Sequence, residues 1–419
     1  MYKRVFIRAL TGTMAQTQVH VAILGGGVGG SAAASSLLRD SGDKVKVTLI
    51  EMGRGLGGRA CTRGTREDAR IAVNHGAPFA DVATQQGLAI FQDLQRHGFA
   101  TEFAGEVRTL KLEPESGAKT FEESCAATNT SRWGGMPTMS RLAEGLLARA
   151  PRQPEYVHGR MVRKLEPVVS SDAVAGWRLL DKDGELVSEC DWLLVAGSGV
   201  AHPRWTASFG GVAPLVAAAE PLQDETLNAA VATVGAMGFR PVQVAMMTFE
   251  GEVAAAWRKL PFRVAEVHGD AVLGKVAIQE GSDDVVSVVL HSTHSFAEDS
   301  VDVYGATGTA ARVAGVANDR GREQQVLGEL VTSMKRALVG DNFLDASHVD
   351  SAAAIFGPHL HRWGAAFPSG VPLSLEQAVC TKARVAFCGD YVGDDALMGS
   401  IEGAILSGTA IGERIAARL

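Results

Sequence analysis

A glycine-rich turn at residues 25–30, GGGVGG, constrains the fold more than any other feature of the sequence. A short apolar run of strand length, VHVAIL (19–24), precedes the turn. A helix-like stretch of small residues, SAAASSLLRD (31–40), follows it, and then a β-branched run, KVKVTLIE (44–51). Strand, glycine turn, helix and strand in this order predict the βαβ half-unit of a parallel sheet.

The glycine spacing and a distal acid predict that this half-unit binds a dinucleotide. In the GxGxxG pattern, Gly25 allows the turn, Gly27 lets the backbone approach a pyrophosphate, and Gly30 lets helix and strand pack closely. Gly29 is predicted to contact the cofactor as well, and the N-terminus of the helix that follows the turn offers unpaired N–H groups and a partial positive charge to the phosphates. Glu51 ends the second strand 21 residues after Gly30, where a carboxylate can hold ribose hydroxyls. The alternative is a glycine turn with a purely structural role.

A loop dense in glycine and arginine distinguishes between two dinucleotides. Gly57, Gly58 and Arg59 come shortly after the second strand and supply two glycines for close approach and a fixed cation for a pyrophosphate. A nicotinamide-dependent dehydrogenase has no use for such an element at this place. The loop therefore favours FAD, and the alternative is a solvated arginine-rich loop.

A second cofactor motif lies in the last forty residues. A strand ends in Gly389 and Asp390, and GSIEGA (399–404) then opens a helix. Asp390 can bind hydroxyl groups of a polyol chain. The backbone amide of Ile401, near a helix N-terminus, can face the pyrimidine edge of a flavin, where negative charge develops on reduction. Because two remote motifs rarely converge on one extended cofactor by chance, the sequence predicts FAD.

The middle of the chain has the sequence pattern of an antiparallel sheet. Alternating or β-branched runs at the spacing of an antiparallel sheet occur at Pro241–Phe249, Phe262–Val267, Val272–Ile278 and Val285–His291. The sequence therefore predicts an α/β fold, α+β overall, in which a Rossmann-like FAD-binding domain carries an inserted antiparallel β-rich substrate domain. The predicted boundaries are 17–85, 137–204 and 380–419 for the FAD-binding domain, 86–136 and 205–379 for the substrate domain, and 1–16 for an N-terminal extension.

Apolar periodicity predicts further elements. Those predicted are a helix at 84–97, a helix opened by Pro137, strands at Tyr156–Leu165, Trp177–Leu186 (turning at 182–184) and Asp191–Ala196, and a long helix at 322–338.

Composition excludes several classes of protein. The 419 residues carry 40 Lys and Arg against 47 Asp and Glu, a formal charge of −7, which disfavours nucleic acid as a partner. Five cysteines without a CxxC pattern fit a reduced, intracellular and cytoplasmic setting. The longest uncharged stretch, 9–38, contains the glycine turn and is not a membrane helix. Residues 1–13 are basic and weakly resemble an organellar presequence, the alternative being a disordered extension.

These motifs resemble the flavin amine oxidase superfamily, and within it the renalase-like branch. The resemblance rests on GGGVGG, Glu51, GGRACTR, NHGAPFA (74–80), WGGMPTMSRLAEGLL (133–147), HSTHS (291–295), HRWGAAFP (361–368) and CGDYVGDDALMGSIEGA (388–404). It implies that Gly58 and Arg59 contact the pyrophosphate and that Val162 contacts adenine through its backbone. It also implies non-covalent FAD, because MGSIEG has no Cys where monoamine oxidases attach the flavin. Phe296 stands where the branch has a Trp.

A flavin oxidase needs orientation and an apolar pocket from the protein rather than a nucleophile, because the flavin N5 does the chemistry. The resemblance places His75 and Phe79 on the flavin-facing strand and Trp363 and His291 in the inserted domain, and these four residues are the predicted substrate pocket. The alternative for Trp363 is ordinary core packing, and that for His75 is a satisfied core histidine. Lys275 is either a flavin-facing lysine or a surface lysine. No acidic or Cys partner recurs near the His pairs 291/294 and 359/361, so no metal is expected.

The resemblance implies transfer of a hydride from a small reduced substrate, such as isomeric dihydropyridine forms of NAD(P)H, to FAD and then to O2, with hydrogen peroxide as product. The predicted partners are that small molecule and O2, and the oligomeric state stays open. One alternative is an amine oxidase or desaturase-like flavoenzyme. Others are an escort-type binding protein of the same fold without flavin and a protein that binds FAD without turnover.

Overall fold

The structure is a computed structural model, and the predicted N-terminal extension and presequence lie outside its described residues. It describes residues 18–113, 118–123, 130–171, 173–281, 284–313, 315, 319–340 and 343–419.

The strands of the described residues belong to five sheets. In chain order they are β1 (Val19–Leu24), β2 (Val45–Glu51), β3 (Thr62–Gly64), β4 (Ala72–Asn74), β5 (Ala80–Val82), β6 (Ala100–Glu102), β7 (Val107–Leu112), β8 (Lys119–Glu123), β9 (Ser131–Gly135), β10 (Glu155–His158), β11 (Lys164–Ser170), β12 (Ala173–Leu180), β13 (Leu186–Cys190), β14 (Trp192–Val195), β15 (Gly238–Glu250), β16 (Val264–His268), β17 (Leu273–Glu280), β18 (Val285–Ser292), β19 (Phe356–Ser369), β20 (Val379–Cys380) and β21 (Val385–Phe387).

The helices vary from one turn to five. In chain order they are α1 (Val28–Ser41), α2 (Gln85–Arg96), α3 (Arg141–Ala148), α4 (Trp205–Phe209), α5 (Pro214–Leu222), α6 (Glu225–Ala236), α7 (Gly251–Arg258), α8 (His294–Asp299), α9 (Thr309–Val313), α10 (Arg320–Leu338) and α11 (Ile401–Ala416). None of them, within the described part of the chain, is long and apolar enough to cross a membrane.

A largely parallel sheet carries the glycine turn. Its strand order is β10-β2-β1-β14-β21-β20, and β1 pairs in parallel with both β2 and β14. β1, β2 and β14 are nearly continuous apolar runs, as expected of strands covered on both faces. The carboxyl ends of the parallel strands lie at one edge, so the turn after β1, Glu51 and the segment after β21 come together there.

An antiparallel sheet forms the second layer of the molecule. Its strand order is β19-β15-β18-β17-β16-β7-β8, with only the β16–β7 pair parallel. Its core packs against α7 and α10 through residues such as Met247, Trp257 and Leu330. Together the two sheets confirm the predicted fold class.

Small residues let the first and last helices touch. A Cβ atom on Gly408 of α11 would lie 2.2 Å from the backbone oxygen of Gly29 in α1, and one on Gly412 would lie 2.8 Å from that of Ala33. Only glycine permits such an approach, and it joins the N-terminal and C-terminal motifs in one rigid unit.

Two predicted elements are wrong in their bounds. The helix predicted to open at Pro137 begins at Arg141, because the backbone N–H groups of Met139 and Ser140 donate to side chains of β3 and β4 instead. The strand predicted at Tyr156–Leu165 is divided into β10 and β11, because Gly159 between them adopts a φ of +69°. The predicted turn at 182–184 is present between β12 and β13.

The chain from 205 to 258 is more helical than predicted, since it contains α4, α5, α6 and α7 around β15. α2, predicted as part of the substrate domain, packs with Phe91 and Leu94 against Ile405 of α11. The domain boundaries themselves stay a prediction.

Candidate cofactor and substrate site

One large open cavity lies between the two sheets, with a volume of about 1920 Å³. Its lining contains every residue predicted above for the cofactor and the substrate pocket, drawn from both ends and the middle of the chain. These residues are Gly25, Gly27, Gly29, Gly30, Glu51, Gly58, Arg59, His75, Phe79, Val162, His291, Trp363, Asp390 and Ile401. Their individual roles in binding stay predictions.

The glycine turn brings a helix N-terminus to the cavity. Gly25 has a φ of +115°, which favours glycine, and a Cβ on Gly30 would lie 2.0 Å from the Gly25 backbone oxygen. α1 begins at Val28 without a side-chain cap, and its first hydrogen bond runs from the Ser31 N–H to the Gly27 oxygen at 2.9 Å. The earlier N–H groups of the first turn therefore have no partner within the helix and can bind an anion.

Glu51 is held in place by the backbone on both sides. Its Oε2 accepts the Gly26 N–H at 2.8 Å, and its Oε1 accepts the Gly53 N–H at 2.6 Å. A carboxylate has about four acceptor sites, so two remain for hydroxyl groups. The carboxylate thus ties the glycine turn to the loop that follows β2.

Arg59 and Asp390 form a two-pronged ion pair in the cavity. Arg59 donates through Nη2 to Asp390 Oδ1 at 2.5 Å and through Nη1 to Oδ2 at 2.6 Å, and Nη1 also donates to the Ala366 oxygen at 2.7 Å. Burial opposes the charge of Arg59, but the carboxylate outweighs it and raises the pKa of the guanidinium. The pair links the N-terminal and C-terminal motifs and holds a cation beside the glycine turn.

The C-terminal motif presents a second helix N-terminus. Ser400 caps α11 by accepting the Gly403 N–H at 2.8 Å, and Ile401, the first residue of the helix, lines the cavity. The buried Glu402 carboxylate anchors this end of α11, because it accepts the N–H groups of Ala83 at 2.8 Å and Thr84 at 3.0 Å. Sequence reasoning did not single out Glu402, although it belongs to the SIEGA motif.

Three rings, those of His75, His361 and Trp363, pack together on the side of the cavity near the antiparallel sheet. They are called here the ring stack, after the stacked pair of His75 and Trp363. The His75 and Trp363 rings are stacked with centroids 5.3 Å apart, and the Trp363 indole N–H donates to the His75 backbone oxygen at 3.0 Å. His361 contacts both rings, at 4.7 Å from His75 and 4.3 Å from Trp363. Burial lowers the pKa of His75 to about 4 and that of His361 well below its usual value. Both histidines are therefore neutral near pH 7.

Strand pairing aligns a row of polar residues across the antiparallel sheet. Glu266 lies opposite Lys275, and Lys275 lies opposite His291. His291 and His361 both lie opposite Val244, on its two sides. Residues paired in this way share one face of a sheet. Every member of the row except Val244 lines the cavity.

His291 has an unsatisfied nitrogen at this surface. Its Nε2 is buried and has no hydrogen-bond partner among the described residues, and burial, with the nearby charge of Lys275, lowers its pKa to about 3. The Lys275 ammonium lies 3.9 Å from the nearest Glu266 oxygen. Lys275 thus lines the cavity rather than the outer surface. Phe79 also lines it, and its ring packs on Phe103 at 4.9 Å.

Cys61 lies between the loop and the ring stack. Its Sγ is 3.6 Å from His75 Nε2, and burial raises the pKa of its thiol to about 12. The thiol is therefore protonated and a poor nucleophile at neutral pH.

Arg204 is a cavity residue that sequence reasoning missed. Its guanidinium lies 3.8 Å from the centre of the Phe239 ring and donates to Ser198 Oγ at 2.8 Å, while its Nη1 is buried without a partner. Burial, with the nearby charge of Arg59, lowers its pKa to about 10. No motif marks this position, because it follows β14 in an irregular segment.

No group of three or more His, Cys, Asp or Glu side chains in the described residues is arranged to hold a metal ion.

Comparison with known proteins supports this architecture. Residues 23–97 match the family described as the NAD(P)-binding Rossmann-like domain, which covers 75 of the 419 residues. None of the curated proteins matches the chain in sequence. Among solved structures, wild-type putrescine oxidase bound to putrescine is 13% identical with a TM-score of 0.57, and the match covers 96% of this chain and 100% of that one.

Two further structures match over the same extent. Cyclohexylamine oxidase from Brevibacterium oxydans IH-35A is 13% identical with a TM-score of 0.58, and the match covers 96% of this chain and 99% of that one. A candidate protoporphyrinogen oxidase from Exiguobacterium sp. 255-15 is 10% identical with a TM-score of 0.57, covering 96% and 100%. At these identities the likeness shows the fold: a Rossmann-like domain combined with an antiparallel sheet, as in these oxidases.

Proposed function

We propose that the chain is an FAD-dependent oxidoreductase that binds its cofactor non-covalently. The observation that carries the proposal is the convergence of four elements on one cavity: the N-terminus of α1, the Glu51 carboxylate, the Arg59–Asp390 pair and the N-terminus of α11. They offer, in turn, groups for phosphates, for ribose, for a pyrophosphate or polyol, and for an electron-rich ring edge.

The residues present fit FAD in size and in chemistry. A cavity for a drug-sized ligand measures roughly 300–1,000 Å³. The cavity here, at about 1920 Å³, has room for an extended dinucleotide and a small substrate together. Cys61 favours non-covalent binding, because its buried thiol has a pKa of about 12 and does not supply a thiolate for attachment.

Bound FAD would supply hydride acceptance at N5 of its isoalloxazine ring and reoxidation by O2, which yields hydrogen peroxide. The chain itself would orient the substrate against the flat surface of Trp363 and the neutral rings of His75 and His361. The unpartnered Nε2 of His291 offers one further hydrogen bond in the pocket. None of these groups has to gain or lose a proton at neutral pH.

We further propose a renalase-like substrate class, the isomeric dihydropyridine forms of NAD(P)H. The resemblance of the sequence motifs and the basic character of the cavity support it. The test is the visible absorption spectrum of the purified protein, followed by anaerobic titration. Two flavin bands, with pigment released by heat denaturation, are expected. Bleaching by dihydropyridine isomers supports the substrate class, whereas a protein that cannot be loaded with FAD overturns the oxidoreductase proposal.

An amine oxidase is the second candidate, favoured by the structural likeness to putrescine oxidase and cyclohexylamine oxidase. The same titration decides between the two. Bleaching by primary amines, without bleaching by dihydropyridines, would support the amine oxidase instead.

A further inference from the structure

Three arginines lie together in the lining of the cavity, and the described residues offer them no acidic partner. They are Arg54 in the loop after β2, Arg63 in β3 and Arg312 in α9, called here the arginine cluster. None of them forms an ion pair with any carboxylate in the described part of the chain, in contrast to Arg59 with Asp390. Two neighbouring segments, the loop after β2 and β3, and the distant helix α9 therefore bring to one place three cations without an ion pair in the described residues.

The cluster carries mutual repulsion. Burial lowers the pKa of Arg63, and the charges of Arg54 and Arg312 lower it further. Burial and the charge of Arg54 likewise lower the pKa of Arg312. Like charges that approach each other in a partly buried place oppose ionisation, and an anion placed among them relieves the repulsion.

The cluster adjoins the ring stack of the substrate pocket. The Arg63 guanidinium lies 5.7 Å from the centre of the Phe356 ring, and its charge contributes to the lowered pKa values of His75 and His361. Arg63 in β3 pairs with Val73 in β4, and His75 follows directly after the end of β4. A ligand held by the cluster is therefore within reach of Trp363.

The charge of the whole cavity also favours an anionic ligand. The lining contains nine Arg and Lys against six Asp and Glu side chains, whereas the whole chain has a net charge of −7. A positively lined cleft in an acidic protein concentrates anions and repels cations such as protonated amines.

We propose that Arg54, Arg63 and Arg312 form an anion subsite that binds a phosphate or carboxylate group of the substrate while its oxidisable ring lies against Trp363. The identity of the ligand as the substrate rests on the proposed function. The anion subsite itself does not, because it is defined by the three side chains. Guanidinium groups suit this task, since each binds an oxyanion through two parallel N–H bonds.

The first test measures anion binding to the FAD-loaded protein, in which the pyrophosphate position of the cofactor is already filled. Inorganic pyrophosphate and citrate are titrated calorimetrically into the wild type and into Arg54→Gln, Arg63→Gln and Arg312→Gln. Saturable binding that weakens with ionic strength is expected, and each variant should weaken it roughly 5- to 30-fold. Preference for pyrophosphate over citrate would assign the anion to a phosphate, and the reverse to a carboxylate.

Arg320→Gln is the matched control, because Arg320 is exposed on α10 and does not line the cavity. It should bind both anions as the wild type does. Arg54→Gln and Arg312→Gln relieve a repulsion, so their melting temperatures should not fall, and Arg63→Lys should retain part of the affinity. Absence of binding in the wild type, or equal weakening by Arg320→Gln, overturns the anion subsite.

The second test separates the anion subsite from the proposed function. The KM of a phosphate-bearing dihydropyridine is compared with that of an uncharged N-benzyl dihydronicotinamide. Arg63→Gln should reduce the preference for the phosphate-bearing donor about tenfold, and Arg320→Gln should leave the preference unchanged. If neither donor bleaches the flavin, the proposed substrate class fails, while pyrophosphate binding still decides for or against the anion subsite.

Discussion

Replacing Glu51 by glutamine tests the central contact of the cofactor site. Both carboxylate oxygens accept a backbone N–H, from Gly26 at 2.8 Å and from Gly53 at 2.6 Å. An amide has one acceptor oxygen and an NH2 donor, so in Glu51→Gln one of the two N–H groups must face another donor. The glycine turn and the loop after β2 then lose one of the contacts that hold them together.

The magnitude follows from these two hydrogen bonds. A hydrogen bond to a charged group contributes about 1.5–3 kcal/mol net, and a tenfold change in affinity corresponds to about 1.4 kcal/mol. If FAD binding requires the ordered loop, the dissociation constant should rise by roughly 10- to 150-fold. If the lost hydrogen bond also destabilises the protein without FAD, Glu51→Gln should have a lower free energy of unfolding than the wild type in the absence of FAD.

The assay is the quenching of FAD fluorescence on titration with FAD-free protein. Glu67→Gln serves as the control, because Glu67 lines the same cavity but is exposed, and its carboxylate has no hydrogen bond in the described residues. A dissociation constant for Glu51→Gln within twofold of the wild type would refute the reasoning, as would an equal loss in Glu67→Gln.

Three further predictions concern the turn and the ring stack. Gly30→Ala should lower the melting temperature and abolish FAD retention, because its Cβ would lie 2.0 Å from the Gly25 oxygen. Gly55→Ala has no atom within 4 Å of the new Cβ and should match the wild type in thermal melts and flavin content. Burial lowers the pKa of His75 to about 4, from about 6.5 in an unfolded chain, so the stability it contributes is complete above pH ~6.5 and declines as the pH falls towards about 4. When the pH falls from 8 to 4, the free energy of unfolding, measured with urea, should decrease by up to about 3 kcal/mol less in His75→Asn than in the wild type. Equal decreases in the two proteins would contradict this prediction. Trp363→Phe removes the indole N–H bond to the His75 oxygen at 3.0 Å, which contributes about 0.5–1.5 kcal/mol. It should raise the KM of the reductant about 2- to 12-fold, and an unchanged KM in the FAD-loaded variant would exclude a positioning role.

The cofactor motifs could be predicted from the sequence because each is local. The turn at 25–30, the acid at the end of β2 and the loop at 57–59 depend on backbone conformations and close approaches that glycine permits within a few residues. Their strand, turn and helix arrangement is therefore written in consecutive positions, and the structure has it at nearly the predicted bounds. The same holds for the antiparallel runs in the middle of the chain, whose period-2 pattern is equally local.

The bounds that were wrong depend on contacts from elsewhere in the chain. Pro137 resembles the first residue of a helix, but side chains of β3 and β4 bind the following N–H groups and delay α3 to Arg141. No pattern within the segment records those partners.

The further residues of the candidate substrate pocket, beyond the four predicted from the sequence, depend on the tertiary structure. Lys275, His291 and His361 share one row only because of the registers in which β17, β18, β15 and β19 pair. Shifting any of these strands by one residue would turn its side chain to the other face of the sheet. The sequence by itself determined the backbone conformations of the candidate cofactor motifs, since those depend on neighbours along the chain. Strand register and long-range packing determined which charged side chains line the cavity, since they join residues that no local pattern connects.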